Sequence, residues 1–289
     1  MIDNLEDMLL SKLVLHYCDS RPDLSDGTLV KYKGFKNILG DYDIMISNID
    51  KSYINSLYKH FLTRMNENSA HNRMKQLSFF MDHAIAEQLI TANPVKNMKF
   101  YKPEVEIIYL NDNELATIMN KKLIGRLSEV RDIFVFQCFT AMEYSRLFTF
   151  KTFINDQDGR LWIKSYRKKT KKEATLPMLP AALEIWEKYD RKLPLKSNAK
   201  LNGYLKEIQD ICGIDKVLHT HLSRHTFATT ICLLNFITES TTAKMMGISV
   251  KELIKTYGKI VSKRVSMETN IFFEKELGMF HKKCTVFSI

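Results

Sequence analysis

The stretch His221-Leu222-Ser223-Arg224-His225-Thr226-Phe227-Ala228-Thr229 decides how the rest of the chain is read. A helix starting here sets His221 and Arg224 three residues apart, so both project from one face. The first turn of a helix leaves backbone N–H groups without intrahelical partners, and these favour a phosphate. Arginine suits such a place, because its planar fork matches phosphate oxygens two at a time. Alone, H-x-x-R is equally the pattern of a solvated surface helix, so its neighbours have to decide.

Two neighbours carry matching chemistry. Downstream, Tyr257 lies in Lys255-Thr256-Tyr257-Gly258-Lys259, ten residues past Gly247. Upstream, Tyr166-Arg167-Lys168-Lys169-Thr170-Lys171-Lys172 carries five basic residues between two strand-like runs, Leu161–Ser165 and Glu173–Met178. That arrangement reads as a hairpin with a basic tip. Taken singly, a buried core tyrosine and a solvated charge run explain these features as well. Together they supply what phosphoryl transfer requires: a nucleophile, positive donors around the phosphate and an acid for the leaving oxygen.

Working outward, the chain of 289 residues has 45% apolar residues, 11% aromatic residues and a net charge of +10. The apolar content excludes a mostly disordered chain, and the length suits two domains. The charge favours a polyanionic partner. Five scattered cysteines, Cys18, Cys138, Cys212, Cys232 and Cys284, are never spaced C-x-x-C. This argues against a disulfide framework and a zinc site, with Cys138 and Cys232 read as core. The start Met1–Leu13 is acidic where a signal peptide is basic, and no apolar run reaches the ~18 residues of a membrane span, so a cytoplasmic setting is expected.

The first third reads as a small helical bundle. Thr28 opens one helix, with Leu29, Tyr32, Phe35 and Leu39 at helical spacing. Asp50 caps a second, and Ser69 precedes a long third one that Asn93-Pro94 stops. Residues 95–110 resemble a basic linker, after which Asn111 or Asn113 caps a short helix. Helices return from Pro180 onward. The expected class is mainly α: a bundle over 1–95, a linker over 96–108, and an α-rich domain with a small antiparallel sheet over 109–289.

The combination resembles the tyrosine recombinase (phage integrase) family across essentially the whole chain. The segments that carry this are R-x-K-T on the hairpin, T-L-P-x-L-P, H-x-x-R-H-T-F-A-T, and T-Y after Met246-Gly247. Phe139-Thr140-Ala141-Met142-Glu143-Tyr144-Ser145-Arg146-Leu147 looks like the family's T-G-L-R-x-S-E/D-L. The resemblance implies a SAM-like core-binding bundle followed by the family's catalytic fold. It implies a tyrosine that attacks a DNA phosphate to give a 3′-phosphotyrosyl link and a free 5′-hydroxyl. Tyr257 matches that nucleophile and Arg224 the second catalytic arginine. His221 matches the phosphate-contacting histidine, and Lys169 the lysine that protonates the leaving oxygen. Neither metal nor nucleotide cofactor is implied. The chain's proportions resemble those of integrases of bacterial mobile elements, which implies a bacterial, nucleoid-associated setting.

Two positions depart from the pattern. Glu143 stands where the family has its first catalytic arginine, and Ile248 where it has His or Trp. Losing one aligned donor typically costs about 10²–10³ in rate, and a carboxylate near a dianionic transition state is worse than a deletion. Arg146, one turn on, is one substitute; Arg131 and Arg126 are others. The alternative is a decayed or repurposed site in which Glu143 and Arg146 form an i,i+3 contact.

Double-stranded DNA is the expected partner. Lys31, Lys33 and Lys36 on one bundle helix, Arg73 and Lys75 on another, Lys96, Lys99 and Lys102 in the linker, and Arg167 and Lys168 on the hairpin are the expected phosphate contacts. The amphipathic tail with Ile271, Phe272, Phe273, Leu277 and Phe280 is expected to dock on a neighbouring protomer of a synaptic tetramer or on its own core. No further domain is expected before the bundle. The function expected is site-specific DNA recombination or integration, the alternative a DNA-binding homologue impaired in cleavage. A helical scaffold for protein partners leaves the R-H-T-F-A-T block unexplained.

Overall fold

A computed structural model of the chain describes residues 8–104, 106–167, 171–262, 264, 265, 267 and 269. The chain divides into two compact units between residues 105 and 106. Among the described residues no helix is long and apolar enough to cross a membrane.

Among its described residues the first unit packs four α-helices, α1 (Leu10–Ser20), α2 (Asp26–Asn37), α3 (Lys51–Arg64) and α4 (Glu67–Ala86). Leu10, Leu13, Phe35, Ile54, Leu57, Phe61, Leu77 and Phe80 are fully buried between them, which is the apolar stripe each helix must hide. Asp50 caps α3 as expected, accepting from Tyr53 N at 2.7 Å. Helix α2 opens two residues before Thr28, whose N–H reaches Ser25 O at 2.8 Å. Helix α4 also opens early. Its cap is Asn66, and Ser69 N donates to Asn66 Oδ1 at 2.9 Å. The helix ends at Ala86, short of Asn93-Pro94, because Gln88 turns into the left-handed region (φ 60°) and Leu89 N closes back on Ala84 O. Asn93 instead anchors the exit from the bundle. Its Nδ2 donates to Ser78 O at 2.9 Å and to Asp82 Oδ1 at 2.8 Å, pinning the departing chain along α4.

The second unit is built around α6 (Gly125–Thr140), buried along most of its length. Before it, α5 (Asp112–Asn120) is capped by Asn111, with a full capping box: Glu114 N donates to Asn111 Oδ1 and Asn111 N to Glu114 Oε2. After it comes an antiparallel meander, β1 (Lys151–Ile154), β2 (Leu161–Tyr166) and β3 (Glu173–Pro177), in the order β1-β2-β3. β1 lacks the alternating pattern of a half-buried strand because all four of its residues are exposed. Then follow α7 (Pro180–Lys188), with proline at its first position, α8 (Asn198–Cys212), α9 (Thr220–Thr226), α10 (Glu239–Met246) and α11 (residues 250–262). The stretch 223–236 is not one uniform helix. α9 widens into a π-helical turn over Phe227–Cys232 and then tightens into a 3₁₀ turn over Leu233–Asn235. Thr229 Oγ1 donates to His225 O at 2.8 Å and Thr230 Oγ1 to Leu110 O, so threonine hydroxyls take up backbone carbonyls here. Cys138 and Cys232 are buried in this unit's core with Phe134, Phe136, Leu222, Phe227 and Leu253.

Candidate active site

His219 builds the start of α9. It occupies the N-cap position, and its Nδ1 accepts from Leu222 N at 3.2 Å, so the helix begins at Thr220, one residue before His221. One turn in, Arg224 points into the core and is 4% exposed. Its Nη1 donates to Ala141 O at 2.7 Å and its Nη2 to Met246 O at 2.9 Å. These two carbonyls stand at the C-terminal ends of α6 and α10, where backbone acceptors lack helical partners and favour a cation. Burial lowers the Arg224 pKa, and the Glu143 carboxylate opposes that shift.

The carbonyl of Met246 has a second arginine. Arg146, at the 3₁₀ turn Tyr144–Phe148, is 2% exposed and donates from Nη2 to Met246 O at 3.3 Å and from Nη1 to Ser165 Oγ at 3.5 Å. Its Nε has no partner among the described residues. Burial, then the neighbouring Arg224 charge, brings its pKa down to about 10, so it is still a cation at neutral pH. Gly247, φ +66°, makes room for this pair: a Cβ there would lie 3.0 Å from Ala174 Cβ, 3.2 Å from Glu173 O and 3.3 Å from Arg146 Nη2.

Glu143 does not pair with Arg146 along the turn as an i,i+3 contact would. Its Oε1 lies 3.4 Å from Arg167 Nη2 and 3.7 Å from Arg224 Nε. Arg167, from the end of β2, also reaches Glu252 on α11 at 4.0 Å, and Lys172 holds Glu252 at 3.1 Å. The Ser249 backbone and hydroxyl, with Lys172, hold the Glu252 carboxyl down to about 2. A chain of alternating charges thus joins the turn after α6, the basic hairpin and α11.

Tyr257 on α11 is 3% exposed and packs in the core of this unit. Its Oη lies 2.9 Å from His225 Nδ1. Burial raises the phenol to about 12, with Arg224 pulling the other way. Burial, then His221, takes His225 down to about 4. His221 lies at the surface with its ring 4.8 Å from that of His225, edge to face, and desolvation followed by the Arg224 charge lowers its pKa. Ile248 packs against the core and donates only its backbone N–H, to Ala243 O at 3.0 Å.

Tyr257, Arg224, His221, Arg167, Glu143 and Arg146 therefore meet in one unit. Lys168 and Lys169 lie outside the described residues, as do Ile271, Phe272, Phe273, Leu277 and Phe280 of the tail. Arg131 and Arg126 do not join the site: Arg131 is bound to Asp132 and the carbonyls of Met119 and Lys121, and Arg126 to Glu207 at 3.5 Å. In the first unit Lys31, Lys33, Lys75, Lys96, Lys99 and Lys102 are exposed. Arg73 is turned inward, donating to Gln76 Oε1 at 2.9 Å. Sequence reasoning missed His225 as a partner of the tyrosine; its i,i+4 spacing from His221 was the available signal. It also missed Glu252, for which the sequence gives no signal short of the folded hairpin.

The first unit matches a known domain family: residues 9–102 fit the phage integrase SAM-like domain. No curated protein matches the chain in sequence. Among solved structures, the Tn1549 transposon integrase bound to a circular intermediate DNA superposes with TM-score 0.71 at 15% identity, covering 91% of this chain and 99% of that one. A lambda integrase dimer bound to a COC′ core site gives 0.67 at 17%, covering 87% and 79%. A lambda integrase tetramer bound to a Holliday junction gives 0.67 at 18%, covering 86% and 80%. The chain thus has the fold of the DNA integrases. Its first unit matches the phage integrase SAM-like domain.

Proposed function

We propose that this protein is a site-specific DNA recombinase of the integrase type, with Tyr257 as its nucleophile and cleavage that is strongly slowed. The observation that carries the reading is the Tyr257–His225 contact at 2.9 Å, directly beside the buried Arg224. Tyr257 Oη attacks the scissile phosphorus and passes its proton to neutral His225, in the tautomer that leaves Nδ1 free. The P–O5′ bond breaks, and Lys169 protonates the departing oxygen. Arg224 and His221 hold the non-bridging oxygens. Rejoining reverses these steps, with the 5′-hydroxyl attacking the phosphotyrosine, so the covalent bond conserves the energy for resealing. Lys31, Lys33, Lys75 and Lys99 of the first unit, with Arg167 and Lys168, contact duplex phosphates. Self-association on DNA, a mobile-element origin and a cytoplasmic, nucleoid-associated setting complete the proposal; dimers and tetramers are known for lambda integrase.

The second reading is a DNA-binding homologue that does not cut, and Glu143 favours it, since its carboxylate faces Arg224. A nicked suicide substrate made from DNA flanking the coding locus separates the two. A slow covalent adduct, abolished by Tyr257→Phe, supports a recombinase. Salt-sensitive binding with no adduct supports the homologue, and absence of DNA binding overturns both.

A further inference from the structure

We propose that the Glu143 carboxylate is an internal stand-in for a phosphate, masking an anion site formed by Arg224 and Arg167 above the buried Arg146. The inference rests on the phosphate-handling reading of this site, but not on whether the tyrosine cuts.

Three arginines from three separate elements gather here, and two of them, Arg146 and Arg224, are almost wholly buried. Buried cations demand a compensating anion. The carbonyls of Ala141 and Met246 satisfy both Arg224 Nη atoms but bring no net charge. Glu143 is the carboxylate that supplies it: among the described residues it alone lies within ion-pair distance of Arg224.

The mask is held loosely. Charge-assisted pairs close to about 2.7–2.9 Å when geometry is good, and this same unit makes such pairs at Lys196–Glu129 and Lys216–Glu114, both 2.6 Å. Glu143 stands off at 3.4 and 3.7 Å from its two arginines, and its side chain is 27% exposed. It bridges a fork on α9 and a fork on the hairpin, fully engaging neither. A tetrahedral phosphate presents more oxygens at wider angles than a planar carboxylate and suits two forks better. The carboxylate therefore neutralises the site at rest while leaving its donors underused.

Arg146 sits beneath this pair. Exchanging the expected charges along one turn puts a cation inward and a carboxylate outward. The inward cation spends its Nη groups on Ser165 and Met246, so it raises the positive field beneath the site without reaching an anion.

The test uses the full chain and inorganic phosphate as probe, measured by calorimetric titration against chloride at matched ionic strength. Glu143→Gln, nearly isosteric, is expected to tighten phosphate binding at least tenfold over the unmodified protein. Adding Arg167→Gln is expected to remove that gain. Thermal melts establish that each variant folds, and Glu143→Ser serves if Glu143→Gln does not. A folded Glu143→Gln with unchanged phosphate affinity overturns the proposal, as does a gain that survives Arg167→Gln. Because the readout needs neither DNA nor cleavage, a failed covalent capture leaves this inference standing. A normal capture with no phosphate gain removes this inference alone.

Discussion

The Tyr257 hydroxyl and the His225 Nδ1 atom lie 2.9 Å apart, joining α11 to α9 across 32 residues of chain. Burial keeps both groups neutral: the phenol is pushed up to about 12 and the imidazole down to about 4. In the resting protein the two groups therefore share a hydrogen bond between neutral partners.

That relationship predicts a pH dependence of stability. The folded pKa of His225 is depressed, so between pH ~4 and ~6.5 the unfolded chain binds more protons than the folded one, and stability rises with pH across that window. His221 and His219, also lowered, act in the same direction. Denaturant midpoints are expected to climb from pH ~4 to ~6.5 and flatten above it. His225→Gln is expected to lessen the slope by about 1–3 kcal/mol over the window. A slope unchanged by that substitution counts against the buried neutral imidazole.

Ala141 closes α6 in the left-handed region, φ 54°, with its carbonyl taken by Arg224. A Cβ in that conformation costs about 1–2 kcal/mol, and glycine is free of it. Ala141→Gly is therefore expected to stabilise the protein by about 1 kcal/mol, after the extra freedom of glycine in the unfolded chain. The check is the midpoint of urea unfolding. The strain at Ala141 is held in place by the hydrogen bond that its carbonyl accepts from Arg224.

Gly247 is expected to behave oppositely. Any side chain meets the left-handed φ of +66° and the contacts at 3.0–3.3 Å to Ala174, Glu173 and Arg146. The first two are β3 itself, which cannot swing aside as the tip of a side chain can. Gly247→Ala is expected to cost about 2–4 kcal/mol, combining backbone strain with overpacking. It is also expected to shift Arg146 off Met246 O and, on the proposed recombinase function, to lower DNA cleavage more than DNA binding.

Much of this is legible in the sequence, for identifiable reasons. Asp50 caps as its spacing says, because a short side chain one residue before an apolar stripe has few other uses, and of the two candidates Asn111 and Asn113 it is Asn111 that caps α5. Elsewhere tertiary contacts outvote a local signal. Asn93-Pro94 looks like a helix stop, yet the chain turns at Gln88, and Asn93 is spent on Ser78 and Asp82. β1 has no buried face to announce it. At the site, the segments that carry His221, Arg224 and Tyr257 lie close together, with His225 between the His221 ring and the Tyr257 hydroxyl. The Glu143 contacts do not follow. Its partners Arg167 and Arg224 lie 24 and 81 residues away, and an i,i+3 rule sees only Arg146.

In the first unit, α2 and α4 share a cleft of about 420 Å³ lined by Lys31, Tyr32, Asn72, Lys75, Gln76 and Phe79. Lys31 and Lys75 are exposed on its rim, while Arg73 nearby is tied to Gln76. A lysine that neutralises a phosphate releases condensed counterion, and each such contact adds about 0.9 to the slope of log affinity against log salt. Lys31→Ala and Lys75→Ala are each expected to reduce that slope by about 1 and to weaken binding to all duplexes alike. Arg73→Ala is expected to leave the slope within error, because its guanidinium already serves the helix seam, and to lower the melting temperature instead. Fluorescence anisotropy on one duplex, from about 50 to 300 mM salt, reads all three. A slope loss on Arg73→Ala equal to that of the lysines would mean that the arginine leaves Gln76 to meet DNA.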